Sequence, residues 1–109
     1  MSVGLPAVRA RVYVRESDTF EGSSAHAAVR TAFEEAGVRE VSVHRGIMGF
    51  DRASGILSTR PLRFHADQPV VVEAVATRQQ IEAALPTERE VLERGLITLT
   101  DVALYEPEA

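Results

Sequence analysis

Residues 8–15 alternate without a break, with Val8, Ala10, Val12 and Val14 on one side and Arg9, Arg11, Tyr13 and Arg15 on the other. Successive side chains of a strand point to opposite faces, so this segment asks for a core on one side only. That requirement suits a sheet whose helices all lie on a single face. The rest of the chain must supply those helices and the remaining strands. With 109 residues, one domain of 1–109 is expected. Folding a chain of this length buries roughly 65% of the unfolded surface, enough for one modest core. There is no Trp and there are only four Phe and two Tyr, so that core must be aliphatic.

The remaining elements follow from period and punctuation. Residues 1–6 read as a frayed leader. A polar loop carries Glu16, Asp18 and Glu21, and Ser23 or Ser24 can cap the helix after it. Ala25, Ala28, Val29, Ala32, Phe33 and Ala36 recur at helical spacing until Gly37 stops the run. Residues 40–45 alternate as a second strand, with Ser42 and His44 on its polar side. Residues 51–67, holding Gly55 and Pro61, read as a long irregular loop, and such loops are usually functional or mobile. Residues 69–76 form a third strand, apolar on both faces except at Glu73.

Thr77 and Gln80 fit a capping box, so a second helix starts there. Ile81, Ala84, Leu85, Val91 and Leu92 give it an apolar stripe, and Pro86 should kink or split it. Glu88, Arg89 and Glu90, with Glu93 and Arg94, read as a solvated face. Arg94 and Gly95 close the helix, residues 96–101 read as a connecting loop, and 102–105 as a last short strand. Strand, helix, strand, strand, helix, strand is the order of a ferredoxin-like βαββαβ plait, an α+β fold. It lays an antiparallel sheet under two helices on one face. The first and third strands are then neighbours, which sets Glu73 beside Arg9 or Arg11 on the uncovered face. A partly apolar uncovered face also predicts self-association.

Composition narrows the function. A net charge of −4 argues against a nucleic-acid binder. All twelve basic residues are arginine, which removes lysine Schiff-base chemistry and the lysine-bearing phosphate loop. There is no cysteine, hence no disulfide, thiolate metal site or cysteine nucleophile. No run approaches the length of a membrane span, and no signal-peptide pattern opens the chain. The expectation is a cytoplasmic protein without direct membrane insertion.

One stretch stands out chemically. Arg45, Gly46, Gly49, Phe50 and Arg52 combine permissive backbone with two permanent cations, a setting for phosphate or carboxylate. A tight connection with solvated arginines is the plainer alternative. Glu16, Asp18 and His26 form a second cluster, able in principle to do acid–base work or hold a divalent metal. Acidic residues ahead of a helix also favour its positive end, so a structural role competes there. His44 and His65 read as solvated or hydrogen-bonded histidines. No metal-ligand motif is present.

Four segments now resemble a family. Residues 16–18 (Glu-Ser-Asp), 45–50 (Arg-Gly-Ile-Met-Gly-Phe), 69–73 (Pro-Val-Val-Val-Glu) and 95–102 (Gly-Leu-Ile-Thr-Leu-Thr-Asp-Val) are similar to the markers of domain-of-unknown-function family 190, the PII-like signalling proteins. The resemblance runs from about Val8 to Tyr105 and implies a plait that assembles as a homotrimer. It implies adenine-nucleotide sites (ATP, ADP or AMP) in clefts between subunits; no enzyme is expected, since no nucleophile elbow or metal motif supports one. Arg45, Gly46, Gly49, Phe50 and Arg52 match one half of such a site. Gly95, Leu96, Ile97, Thr98 and Asp101 match the other. The loop after the second strand would then engage a partner such as a membrane transporter or channel. A structural trimer without ligand, or a small enzyme or metal-binding protein using Glu16, Asp18 and His26, are the alternatives.

Overall fold

The computed structural model describes residues 2–46, 48–51, 55–58, 68–92 and 96–106. Its main sheet holds four antiparallel strands: β1 (Ser2–Arg15), β4 (Val41–Arg45), β7 (Pro69–Ala76) and β8 (Leu96–Glu106). They lie in the order β4-β7-β1-β8. Helix α1 (Ala25–Glu35) and helix α2 (Arg78–Val91) pack on each other and on one face. This is the expected plait, with β1 and β7 side by side.

The core follows the alternation. Val8, Ala10, Val12 and Val14 from β1 and Val70, Val72 and Ala74 from β7 meet Ala25, Val29 and Phe33 of α1 and Ile81, Ala84 and Val91 of α2. Val12, Val29, Phe33 and Val72 are wholly buried. Each such side chain contributes about 1.5–3 kcal/mol by leaving water. On the open face, Arg11 stands opposite Glu73, whose Oε1 lies 3.6 Å from Arg11 Nε and 3.7 Å from Arg9 Nε. The carboxylate in an otherwise apolar strand thus has both arginines as partners.

The helices begin and end for legible reasons. Thr77 caps α2 by accepting from the Gln80 amide, while the Gln80 side chain accepts from the Thr77 amide. Gln80 Nε2 also donates to the Gly37 carbonyl at 2.9 Å, tying the start of α2 to the end of α1. Gly37, at φ +84°, lets the Val38 amide reach back to the Phe33 carbonyl. That closure needs a left-handed residue, which glycine adopts without strain. At the other end of α1, Ser24 occupies the cap position without a side-chain bond; the Ala25 amide goes to the Asp18 carbonyl instead.

Several expectations need correction. Ser2 to Pro6 is not a frayed leader: β1 begins at Ser2 and pairs with β8, with a register shift between Ser2 and Leu5. Residues 96–101 are not a connecting loop, since β8 begins at Leu96 and continues to Glu106. The polar loop after β1 contains a small hairpin, β2 (Thr19–Phe20) and β3 (Ser23–Ser24). Glu21 and Gly22, both at positive φ, form its two-residue turn, as such hairpins require. Of the stretch 51–67 expected to be irregular, Asp51 and residues 55–58 belong to a second hairpin, β5 (Met48–Asp51) with β6 (Gly55–Ser58); residues 52–54 and 59–67 lie outside the described residues. Helix α2 runs through Pro86 unsplit. Finally, Glu88 does not belong to a solvated face. It is wholly buried, in the stripe of Ile81, Ala84 and Val91.

Candidate functional site

Arg45 closes β4 opposite Val70, on the helix side of the sheet by register but beyond helical cover. Its guanidinium is 60% exposed, and Nη2 lies 3.0 Å from Glu16 Oε1. Glu16 is itself fixed where its amide donates to the Gln68 carbonyl. The result is a cation anchored at a strand end, facing water, with one carboxylate as its counter-charge.

Gly46 follows, and its glycine has a local cause. A Cβ there would stand 2.7 Å from Pro69 Cγ, while the Gly46 amide donates to the Pro69 carbonyl at 2.8 Å. The Pro69 ring therefore fills the space a side chain at 46 would need, whether or not a ligand comes near. Gly49 and Phe50 are strand residues of β5, opposite Leu57 and Ile56, rather than parts of an open turn. Arg52 lies outside the described residues.

The second half of the expected site lies on β8. Leu96 pairs with Tyr13, Ile97 with Val12 and Thr98 with Arg11. Leu96 is strongly exposed, while Ile97 packs against the core from the helix side. Asp101 forms an ion pair with Arg78 at the start of α2. Gly95 lies outside the described residues.

Among the described residues these halves do not meet within one chain. Arg45 sits on one edge of the sheet, and Leu96 sits at the same end on the other edge. β7 and β1 lie between them, a separation of three strand spacings or about 14 Å. A ligand touching both within one copy would have to lie across the end of the sheet.

The cluster of Glu16, Asp18 and His26 is likewise divided. Glu16 turns to Arg45. Asp18 accepts from the Arg15 amide at 3.0 Å and lies 3.8 Å from Arg15 Nε, closing the turn after β1. His26 is half-buried on α1. Among the described residues no group of three or more His, Cys, Asp or Glu side chains could hold a metal ion. On the open face His44 Nε2 lies 2.9 Å from Ser42 Oγ and 3.7 Å from Glu73 Oε2, so that histidine belongs to the arginine–glutamate network.

Sequence reasoning missed one group of chemical interest. Glu88 Oε1 and Oε2 are both buried and without a hydrogen-bond partner. Burial raises the acid's pKa to about 8. The signal was its spacing, since positions 81, 84, 88 and 91 fall on one side of a 3.6-residue helix.

No helix among the described residues is long and apolar enough to cross a membrane. Residues 7–104 match domain-of-unknown-function family 190, described as Uncharacterized ACR. A UPF0166 protein of Methanocaldococcus jannaschii is 30% identical over 99 residues, covering 90% of this chain and 91% of its own. A UPF0166 protein of Aquifex aeolicus is 29% identical over 92 residues, covering 84% and 87%. Among solved structures, CPII of Thiomonas intermedia K12, a nitrogen regulatory PII-like protein bound to ADP, AMP and bicarbonate, superposes with a TM-score of 0.72. It is 13% identical and covers 94% of this chain and 91% of its own. GlnK of B. subtilis in complex with ATP has a TM-score of 0.55 at 12% identity, covering 89% and 83%. The fold is therefore PII-like, and the chain belongs to domain-of-unknown-function family 190.

Proposed function

We propose that this chain is a cytoplasmic, non-enzymatic ligand sensor that assembles as a homotrimer and takes an adenine nucleotide, or another small anion, between copies. The carrying observation is the division of the site: Arg45 and the start of β8 share one end of the sheet but occupy opposite edges. Edges of adjacent copies can supply the two halves that a single copy keeps apart. The exposed guanidinium of Arg45 suits a phosphate oxygen, to which arginine makes charge-assisted bonds. Supporting this reading, the Thiomonas protein of the same fold holds ADP and AMP, and the B. subtilis protein holds ATP. ATP, ADP and AMP are the leading effectors, and residues 51–67 would carry the contact to a partner such as a membrane transporter or channel. Glu16 and Asp18 already face Arg45 and Arg15, which favours sensing over acid–base chemistry at that cluster.

Calorimetry with ATP, ADP, AMP and cyclic AMP tests the proposal, alongside sedimentation to measure the assembly. Saturable binding of at least one nucleotide by a trimer is expected. Arg45→Ala should weaken it about 10- to 100-fold, the range for a lost charge-assisted bond. Glu16→Gln should tighten it by removing the competing carboxylate. A flat response to all four nucleotides removes the nucleotide version of the reading, and a well-folded monomer overturns the shared site.

A further inference from the structure

We propose that Glu88 is a proton-operated latch on α2: protonated, it seats the helix's last turn in the core, and on losing its proton it draws that turn away from the sheet. This goes beyond the nucleotide reading and stands whether or not that reading does.

Three observations place the latch. Glu88 is 0% exposed, and neither carboxyl oxygen has a hydrogen-bond partner. It stands three residues before the end of α2, and its own carbonyl accepts the helix's closing bond, from the Leu92 amide at 3.0 Å. β8 begins at Leu96, only four positions beyond Leu92 in sequence. An ionised carboxylate without donors is strongly disfavoured in an apolar interior, so charge must be avoided or carried to water. The shortest way out is to unwind the last turn, because helix ends open more cheaply than helix centres.

Among the described residues, no neighbouring element offers a counter-charge from its inward face. β1 presents Val8, Ala10, Val12 and Val14, while Arg9, Arg11, Tyr13 and Arg15 lie on the opposite face. β7 presents Val70, Val72 and Ala74, with Glu73 turned away. α1 presents Ala25, Val29, Ala32 and Phe33; its Arg30, Glu34 and Glu35 are exposed, and half-buried His26 is its remaining titratable side chain. On α2 itself Arg78, Glu82, Arg89 and Glu90 are exposed, with Arg78 engaged by Glu82 and by Asp101 of β8. Burial raises the acid from 4.5 to about 8. The closed form is thus favoured in acid. The opened form, with an ordinary glutamate, gains as pH rises from 4.5 towards 8 and gains no more above that.

Amide hydrogen exchange on the full chain tests this at pH 5.5 and pH 7.5, corrected for intrinsic rates. The Leu92 amide should lose up to about a hundredfold of protection over those two units, since each unit changes the balance tenfold. The Ile81 amide, bonded to the Thr77 carbonyl at the helix start, should hold its protection and serves as the internal control. In Glu88→Gln the Leu92 loss should vanish. Should that variant fail to fold, Glu88→Met takes its place. Carbon NMR of the Glu88 carboxyl in the wild type gives an independent readout, with a midpoint far above 4.5 expected. A midpoint near 4.5, an equal loss in the variant, or parallel loss at Ile81 and Leu92 would each overturn the latch.

Discussion

Two acidic side chains flank the sheet, Glu73 of β7 on its open face and Glu88 of α2 on its covered side, and their surroundings treat them in opposite ways. Glu73, on the open face, has Arg9, Arg11 and His44 within 3.7 Å and remains partly in water. Glu88, on the covered face, has no hydrogen-bond partner among the described residues and no exposed surface. A carboxylate costs little where solvent and cations share it, and a great deal where neither reaches it. The open face is therefore held together by charge and the covered face by packing. A charge on the covered face acts as a liability that pH can expose.

The sharpest way to break this contrast is to attack packing alone. Phe33 is wholly buried on α1 between the sheet and α2. Phe33→Ala should lower stability by about 3–5 kcal/mol through lost burial and a residual cavity. Urea unfolding measures it, and a loss below about 1 kcal/mol would mean that packing does not dominate the covered face.

Next comes the charge that this face tolerates. The folded pKa of Glu88 is raised, so its neutral form contributes stability that is fully present below pH 4.5 and is lost as pH climbs toward about 8. At about 1.4 kcal/mol per unit of differential proton binding, wild-type stability should fall by roughly 3 kcal/mol between pH 5 and pH 8 from this group. Glu88→Met should flatten that part of the profile and exceed the wild type at pH 8, since an apolar side chain of similar length needs no partner. Equal slopes in the two proteins would remove Glu88 from the pH dependence.

The same contrast explains what could be read from the residues beforehand. Val8 to Arg15 announces its faces because one side meets helices and the other meets water; the plait and the β1–β7 pairing followed from the order of the elements, and Glu73 fitted that pairing. β8 was hidden because it is an edge strand. Leu96 and Leu99 are both exposed although register puts them on opposite faces, so neither face yields a clean period. Its β-branched Ile97, Thr98, Thr100 and Val102 were the remaining signal. Gly4 and Pro6 made the start of β1 resemble a leader, whereas the register shift beside Gly4 accommodates its positive φ. Pro86 did not split α2, since the donor it lacks would have served Glu82, a residue at the water-facing side of the helix. At the proposed site, Arg45 was legible as a permanent cation beside permissive backbone. Its counter-ion Glu16 was not, because that contact joins two strand ends distant in sequence.

A smaller effect separates the two ends of α2. The Thr77–Gln80 box fixes the start, whereas the end relies on Glu88 staying neutral. Thr77→Ala should lower stability by about 1 kcal/mol, the usual worth of a cap, and by the same amount at pH 5 and pH 8. A pH-dependent loss would mean that the two ends are coupled and that the latch acts on the whole helix.

The smallest expected effect lies on the open face and sharpens the comparison most directly. Glu73→Gln keeps the shape and removes the charge that Arg9 and Arg11 share. Because all three side chains keep some contact with water, solvent and salt screen their attraction. The loss should be a few tenths to about 1 kcal/mol, shrinking further as salt is raised from 0.05 to 0.5 M. A double-mutant cycle with Arg11→Gln isolates the pair term. If the cycle instead gives several kcal/mol, insensitive to salt, then water does not reach this face in solution. The face would then lie inside an assembly, where breaking a desolvated pair leaves one charge stranded. Sedimentation of the same variants decides between these cases, since an interface role predicts that Glu73→Gln shifts the assembly toward monomer. A network merely decorating the surface leaves the assembly unchanged.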